Sequence, residues 1–262
     1  MAVDPYAAPK SRVADVPQIL SDSAFVPNGR SVAGGNGWKW ITDAWELVKG
    51  QKGVWIGLLL IFVVIIFVLS FIPVIGPLAL NLISPILIGG VMLGCEAVRR
   101  GEPMTVGFLF AGFSRNAGRL AGLGAFMILG YVAMFAILAL IFGTAIFGMF
   151  TGGINSDPAA IATMGVTILL AVLVMLALSI PLYMAVWFSY PLIVLNEFTV
   201  GQALKTSFFA CLKNMIPFLL YGIMALLLGI VASIPAGLGW LLLGPVLLAS
   251  IYTGYRDIFY EH

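Results

Sequence analysis

The sequence predicts an all-α, polytopic membrane bundle of six spans, and three observations carry that prediction. Of the 262 residues, 61% are hydrophobic and 9% charged, whereas ordinary globular chains carry about 25% charged residues. Residues 53–95 and 214–255 hold no charged side chain, and 120–196 holds only Asp157. All 13 Lys and Arg residues fall in 1–52, 96–119, 197–214 and 256–262. A helix needs about 20 apolar residues to cross the hydrocarbon core, so each charge-free run holds two spans and a tight turn. Six crossings then put every basic stretch on one side. Lys and Arg resist translocation, so that side is cytoplasmic and carries both termini.

The elements follow in order. Residues 1–37 open MAVDPYAAPKSRVADV, with scattered charges and prolines and without the apolar centre of a cleavable signal. They read as a disordered cytoplasmic lead, leaving 38–262 as one integral domain. Residues 38–50 place Trp38, Ile41, Trp45 and Val48 at helical spacing, with Lys39, Asp43 and Glu46 opposite. Such a helix lies on the membrane surface, where indole rings are favoured. Spans at about 54–72 and 75–95 follow, joined by the uncharged turn IPVIGP (72–77).

A second surface helix is expected at 104–114, apolar nearly all round through Phe108, Leu109, Phe110 and Phe113. Spans at about 120–142 and 160–180 come next, the latter extending to about 195. Folding 120–150 as a hairpin would give eight spans, but that stretch barely suffices for two crossings. Pro181 and Pro191 should kink or interrupt the fourth span, because each removes a backbone donor. The third surface helix, 199–213, sets Val200, Leu204, Phe208 and Cys211 against Gln202, Thr206 and Lys213. Spans at about 216–233 and 238–255, joined by IPAGLG (234–239), complete the bundle.

An internal repeat runs through this order. PILIGGVMLG after Ser84 and PVLLASIYTG after Gly244 place small residues at equal distances from their prolines: Gly89, Gly90 and Gly94 against Ala249, Ser250 and Gly254. Both segments follow an Ile-Pro turn, and an acid closes each even span: Glu96, Glu197 and Asp257. TVG opens both later surface helices, at Thr105 and Thr199. The reading is three copies of one unit, each a surface helix followed by a helical hairpin.

Few residues carry chemistry. The single histidine is the terminal His262, and Cys95 and Cys211 lack the company that zinc or redox sites need. No GxSxG or HExxH motif occurs. No enzyme activity, cofactor, metal or nucleic-acid partner is therefore expected. Gly89, Gly90, Gly94, Ala249, Ser250 and Gly254 let helices approach closely, within the bundle or across an interface with another protein, the first being favoured. Asn81, between Pro77 and Pro85, is the most polar residue inside a span and the candidate polar site of a broken helix. Arg99, Arg100, Arg115 and Arg119 form the densest basic group and are candidates for anionic-lipid contact.

GNGWKWI (35–41), EAVRRGEP (96–103), FAGF (110–113), SFFACLKNMIPFLLYG (207–222) and YRDIF (255–259) together resemble a family of uncharacterised proteobacterial inner-membrane proteins. That family is distantly similar to YciC-like proteins and to the membrane domain of some glycerophosphodiester phosphodiesterases. The resemblance covers about 35–259 and implies a bacterial inner membrane and six helices, but no reaction. The function expected is that of a non-catalytic membrane protein acting through lipid or membrane-protein contacts, self-association included. The alternative is a permeation or lipid-handling protein built on the proline-broken helices.

Overall fold

A computed structural model describes residues 24–151 and 158–261. Ten helices occur among them: α1 Asn36–Lys49, α2 Lys52–Ser70, α3 Ile75–Arg99, α4 Phe108–Ser114, α5 Ala117–Thr151, α6 Pro158–Trp187, α7 Ser189–Asn196, α8 Val200–Lys213, α9 Met215–Ser233 and α10 Trp240–Phe259. Each of the three expected surface segments is a helix, α1, α4 and α8. Five helical stretches are long and apolar enough to cross a membrane: Lys52–Ser70, Ile75–Arg99, Ala117–Thr144, Ile161–Asn196 and Met215–Ser233. The sixth expected span, α10, stands outside that set because residues 250–257 bring in Ser, Tyr, Thr, Arg and Asp. Asp157 and His262 lie outside the described residues.

The two charge-free hairpins turn alike. Val74 follows Pro73 at φ 65°, and Ala236 follows Pro235 at φ 52°. A left-handed residue reverses the chain just after the proline ends the helix. Gly76 permits the tight return, since a Cβ there would lie 1.8 Å from the Leu69 carbonyl oxygen. Between these hairpins α5 is one continuous helix, so 120–150 does not fold back on itself.

The fourth span passes Pro181 unbroken and is interrupted at Phe188 instead. In a continuous helix the Phe188 N–H would reach the Met184 carbonyl. Here the Ser207 hydroxyl stands between them, accepting from Phe188 N at 2.9 Å and donating to Met184 O at 2.7 Å. Pro191 weakens the same turn by supplying no donor to Trp187. The break therefore needs α8 as well as a proline, a known cause of helix interruption. By contrast α3 runs unbroken through Pro85, so the interruption expected beside Asn81 is absent.

Two surface helices pack on the second leg of the preceding hairpin, α4 on α3 and α8 on α6, and α1 packs on the second leg of the last hairpin, α10. The buried stripe of α1 is Gly37, Trp40, Ile41, Ala44 and Val48. Trp38 and Trp45, expected on the same face as Ile41 and Val48, are 40% and 36% exposed. The stripe of α8 likewise runs through Ala203, Ser207, Ala210 and Cys211. Gly37 on α1 and Ala203, Ser207 and Ala210 on α8 let the backbones approach closely. A core of Trp40, Phe188, Tyr252, Tyr255 and Phe259 gathers at the basic end of the bundle. The outer lengths of α2, α5, α6 and α9 expose Leu, Ile, Val and Phe, as lipid-facing surfaces do.

Residues 24–37, expected as part of a disordered lead, have defined positions. From residue 24 the chain is laid along the end of α10, with Val26 N on Phe259 O at 2.8 Å and Arg30 N on Ile258 O at 2.9 Å. Residues 1–23 lie outside the described residues.

Candidate functional site

The polar chemistry gathers at the basic end, where α3, α7 and α10 finish. Each carries an acid in its last turn or just after it, and the three acids have different surroundings. Glu96 accepts from the Tyr252 hydroxyl at 2.5 Å, from Arg99 at 2.7 and 3.1 Å and from Arg100 at 2.8 Å. Asp257 takes the Trp40 indole N–H and the Asn36 amide, both at 2.8 Å, and Arg30 at 3.3 Å. A carboxylate at this depth is tolerated because its charge is met by donors on every side. Between them, Tyr255 donates to the Asn196 side chain, whose amide reaches Tyr260 at 3.3 Å.

Glu197 is different. It sits at φ 57°, and Arg119 reaches its backbone carbonyl at 2.7 Å rather than its carboxylate. Among the described residues its carboxylate has no hydrogen-bond or ion-pair partner. It borders a cleft of about 510 Å³ between α3, α4 and α7. Arg100, Glu102 and Arg115 share the rim, and Leu93, Phe108 and Val194 line the apolar part.

Two apolar grooves lie elsewhere. One, about 500 Å³, runs between α6, α8 and α9 past Tyr183, Trp187, Met215 and Phe218. The other, about 530 Å³, runs from Trp38 and Trp45 of α1 to Leu228, Pro235 and Leu242 of the last hairpin.

The small residues singled out from sequence lie at helix contacts within the chain. A Cβ on Gly90 would stand 2.3 Å from Phe108 O, one on Gly89 2.8 Å from a Leu120 methyl, and one on Gly94 2.5 Å from the Met104 sulfur. Gly254 faces the Trp40 ring at 3.2 Å, Ala249 is buried, and the Ser250 hydroxyl pairs with that of Tyr221 at 2.8 Å.

Asn81 donates its amide to Pro77 O at 2.9 Å, in its own helix. Its carbonyl, denied a donor by Pro85, is covered by the close approach of Gly124 on α5. Of the four arginines, Arg99 and Arg100 bind Glu96 and Arg119 binds Glu197 O. Only the Arg115 guanidinium is left without such a partner among the described residues.

Sequence reasoning missed Ser207, Gly112, Gly124 and the Trp40–Asp257 pair. The runs that carry the resemblance held Gly112, Ser207, Trp40 and Asp257 in view, but nothing local marks the contacts they make, and Gly124 lies outside every run. No group of three or more His, Cys, Asp or Glu is arranged to hold a metal among the described residues. Cys95 and Cys211 are buried, and burial pushes the Cys211 thiol up to about 12.

Over 254 residues the chain is 28% identical to a probable inner membrane protein of Burkholderia thailandensis, covering 87% of this chain and 92% of that one. No protein-family model matches the chain, and no solved structure does. These comparisons show no likeness to YciC-like proteins or to phosphodiesterase membrane domains. With five apolar helices of spanning length, the chain is a multi-pass membrane protein.

Proposed function

We propose that this is a non-catalytic protein of the bacterial inner membrane that acts through contacts with lipids and other membrane proteins. The observation that carries this reading is how its charges are distributed. Glu96 and Asp257, the two buried acids among the described residues, are neutralised within the chain at one end of the bundle, while the outer lengths of α2, α5, α6 and α9 present apolar side chains. The similarity to an inner-membrane protein supports the compartment. In this reading α10 is the sixth span and both termini are cytoplasmic.

The three units expected from sequence gain support from the cyclic docking of α4 on α3, α8 on α6 and α1 on α10. The matching left-handed residues after Pro73 and Pro235 support them too. Permeation or lipid handling remains the second reading, favoured by one observation: the interrupted helix at Phe188 adjoins the groove past Tyr183 and Trp187.

Topology is tested with reporters inserted at Gly101 and at Gly152. A cytoplasmic signal at the first and an external one at the second are expected; the reverse refutes the orientation. Flux of ions and small solutes through proteoliposomes separates the functions, since sustained flux refutes the non-conducting reading.

A further inference from the structure

We infer that the cleft between α3, α4 and α7 holds the headgroup of a zwitterionic, amine-bearing phospholipid of phosphatidylethanolamine chemistry. This rests on the lipid-contact reading above and names its ligand.

The charges on the rim select the class. Glu96 and Arg100 are bonded to each other, which leaves Arg115, Glu102 and Glu197 without partners among the described residues. A lone anion drawn to Arg115 would face two carboxylates, and a lone cation would face a guanidinium. A phosphoethanolamine group carries both charges a few bonds apart. Its phosphate suits Arg115, a guanidinium being shaped for phosphate oxygens. Its ammonium suits Glu102 and Glu197. Of the three acids that close the even spans, only Glu197 has its carboxylate left open for this.

The setting points to a lipid. On α4 and the turn before it, Val106, Phe110 and Phe113 are 41%, 44% and 47% exposed, while Phe108, Ala111 and Arg115 line the cleft. Large apolar side chains on the outside of a short surface helix belong at the headgroup boundary. The cleft mouth is thereby set at that level, and Leu93, Phe108 and Val194 offer an apolar wall to the glycerol and the upper acyl chain.

The walls are held in place. Asn116, next to Arg115, and Glu197 both adopt left-handed backbone, at φ 59° and 57°. Arg119 ties α5 to Glu197 O, and the Asn116 amide ties the α4–α5 junction to Ile193 O at 3.3 Å. Strained residues persist where their surroundings over-determine them, and they gather at ligand sites.

The test uses the full chain in nanodiscs of mixed phosphatidylethanolamine and phosphatidylglycerol, released into mild detergent, with retained lipids counted by native mass spectrometry. Wild-type protein is expected to retain phosphatidylethanolamine preferentially. Arg115→Ala and Glu197→Gln should each lower that retention about five-fold, the weight of one charge at a headgroup. Lys205→Ala, on α8, should leave it unchanged. All variants must elute as monodisperse species. Preference for phosphatidylglycerol, or identical retention in every variant, overturns the proposal. Displacement of the lipid by free phosphoethanolamine at equal concentration overturns the lipid as the source. Flux through proteoliposomes with the preference intact refutes only the non-conducting reading; lost preference without flux refutes only the site.

Discussion

Replacing Gly90 by alanine tests the close packing that positions α4. Gly90 and Gly112 face each other's helices: a Cβ on Gly90 would lie 2.3 Å from Phe108 O and 2.8 Å from Leu109 O, and one on Gly112 2.0 Å from Ile86 O. Carbon–oxygen contacts between packed helices settle at about 3.3 Å or more, so a methyl at Gly90 must drive α4 outward by about 1 Å. Both of these oxygens are backbone atoms, which cannot swing aside as a flexible side chain would. Overpacking of this kind costs about 1–3 kcal/mol. Alanine's better helix propensity returns about 1 kcal/mol at most. A net loss of about 0–2 kcal/mol should lower the unfolding midpoint by up to about 8 °C. Thermal unfolding of detergent-solubilised protein, followed by size-exclusion recovery, measures it. Gly118→Ala is the control, because nothing lies within 4 Å of a Cβ there. If Gly90→Ala is no less stable than Gly118→Ala, the packing explanation is wrong.

Two further outcomes follow from the basic end. Asp257→Ala should cost about 2–3 kcal/mol: it strands the Trp40 and Asn36 donors, while Arg30, 35% exposed, recovers water. The same change should open the chain before Asn36 to protease; an unmoved midpoint with unchanged cleavage would count against the Asp257 contacts. Cys95 and Cys211 are 0% and 2% exposed, and the Cys211 thiol, pushed up to about 12, stays protonated at pH 8. Neither should react with maleimide until the protein is denatured, and rapid labelling of the folded chain would show the core to be open.

The amino-acid sequence by itself determined where the long apolar helices lie, five of the six expected spans being long and apolar enough to cross a membrane, because a charged side chain in hydrocarbon is costly enough for its absence to be legible. The surface helices were legible too, from their period and their position before each hairpin. Which face of α1 or α8 turns inward was not. Where one side meets lipid and another meets protein, both are apolar, so hydrophobic spacing placed Trp38 and Trp45 where the structure buries Trp40 and Ala44. An interruption was expected at Pro181 and Pro191 from proline alone; it falls at Phe188, where Ser207 of another helix completes it. Glu96, Glu197 and Asp257 look equivalent along the chain. Only tertiary structure brings Tyr252 and two arginines to the first and Trp40, Asn36 and Arg30 to the last. It leaves the carboxylate of Glu197 beside a cleft, because the electrostatic state of an acid depends on donors supplied by distant segments.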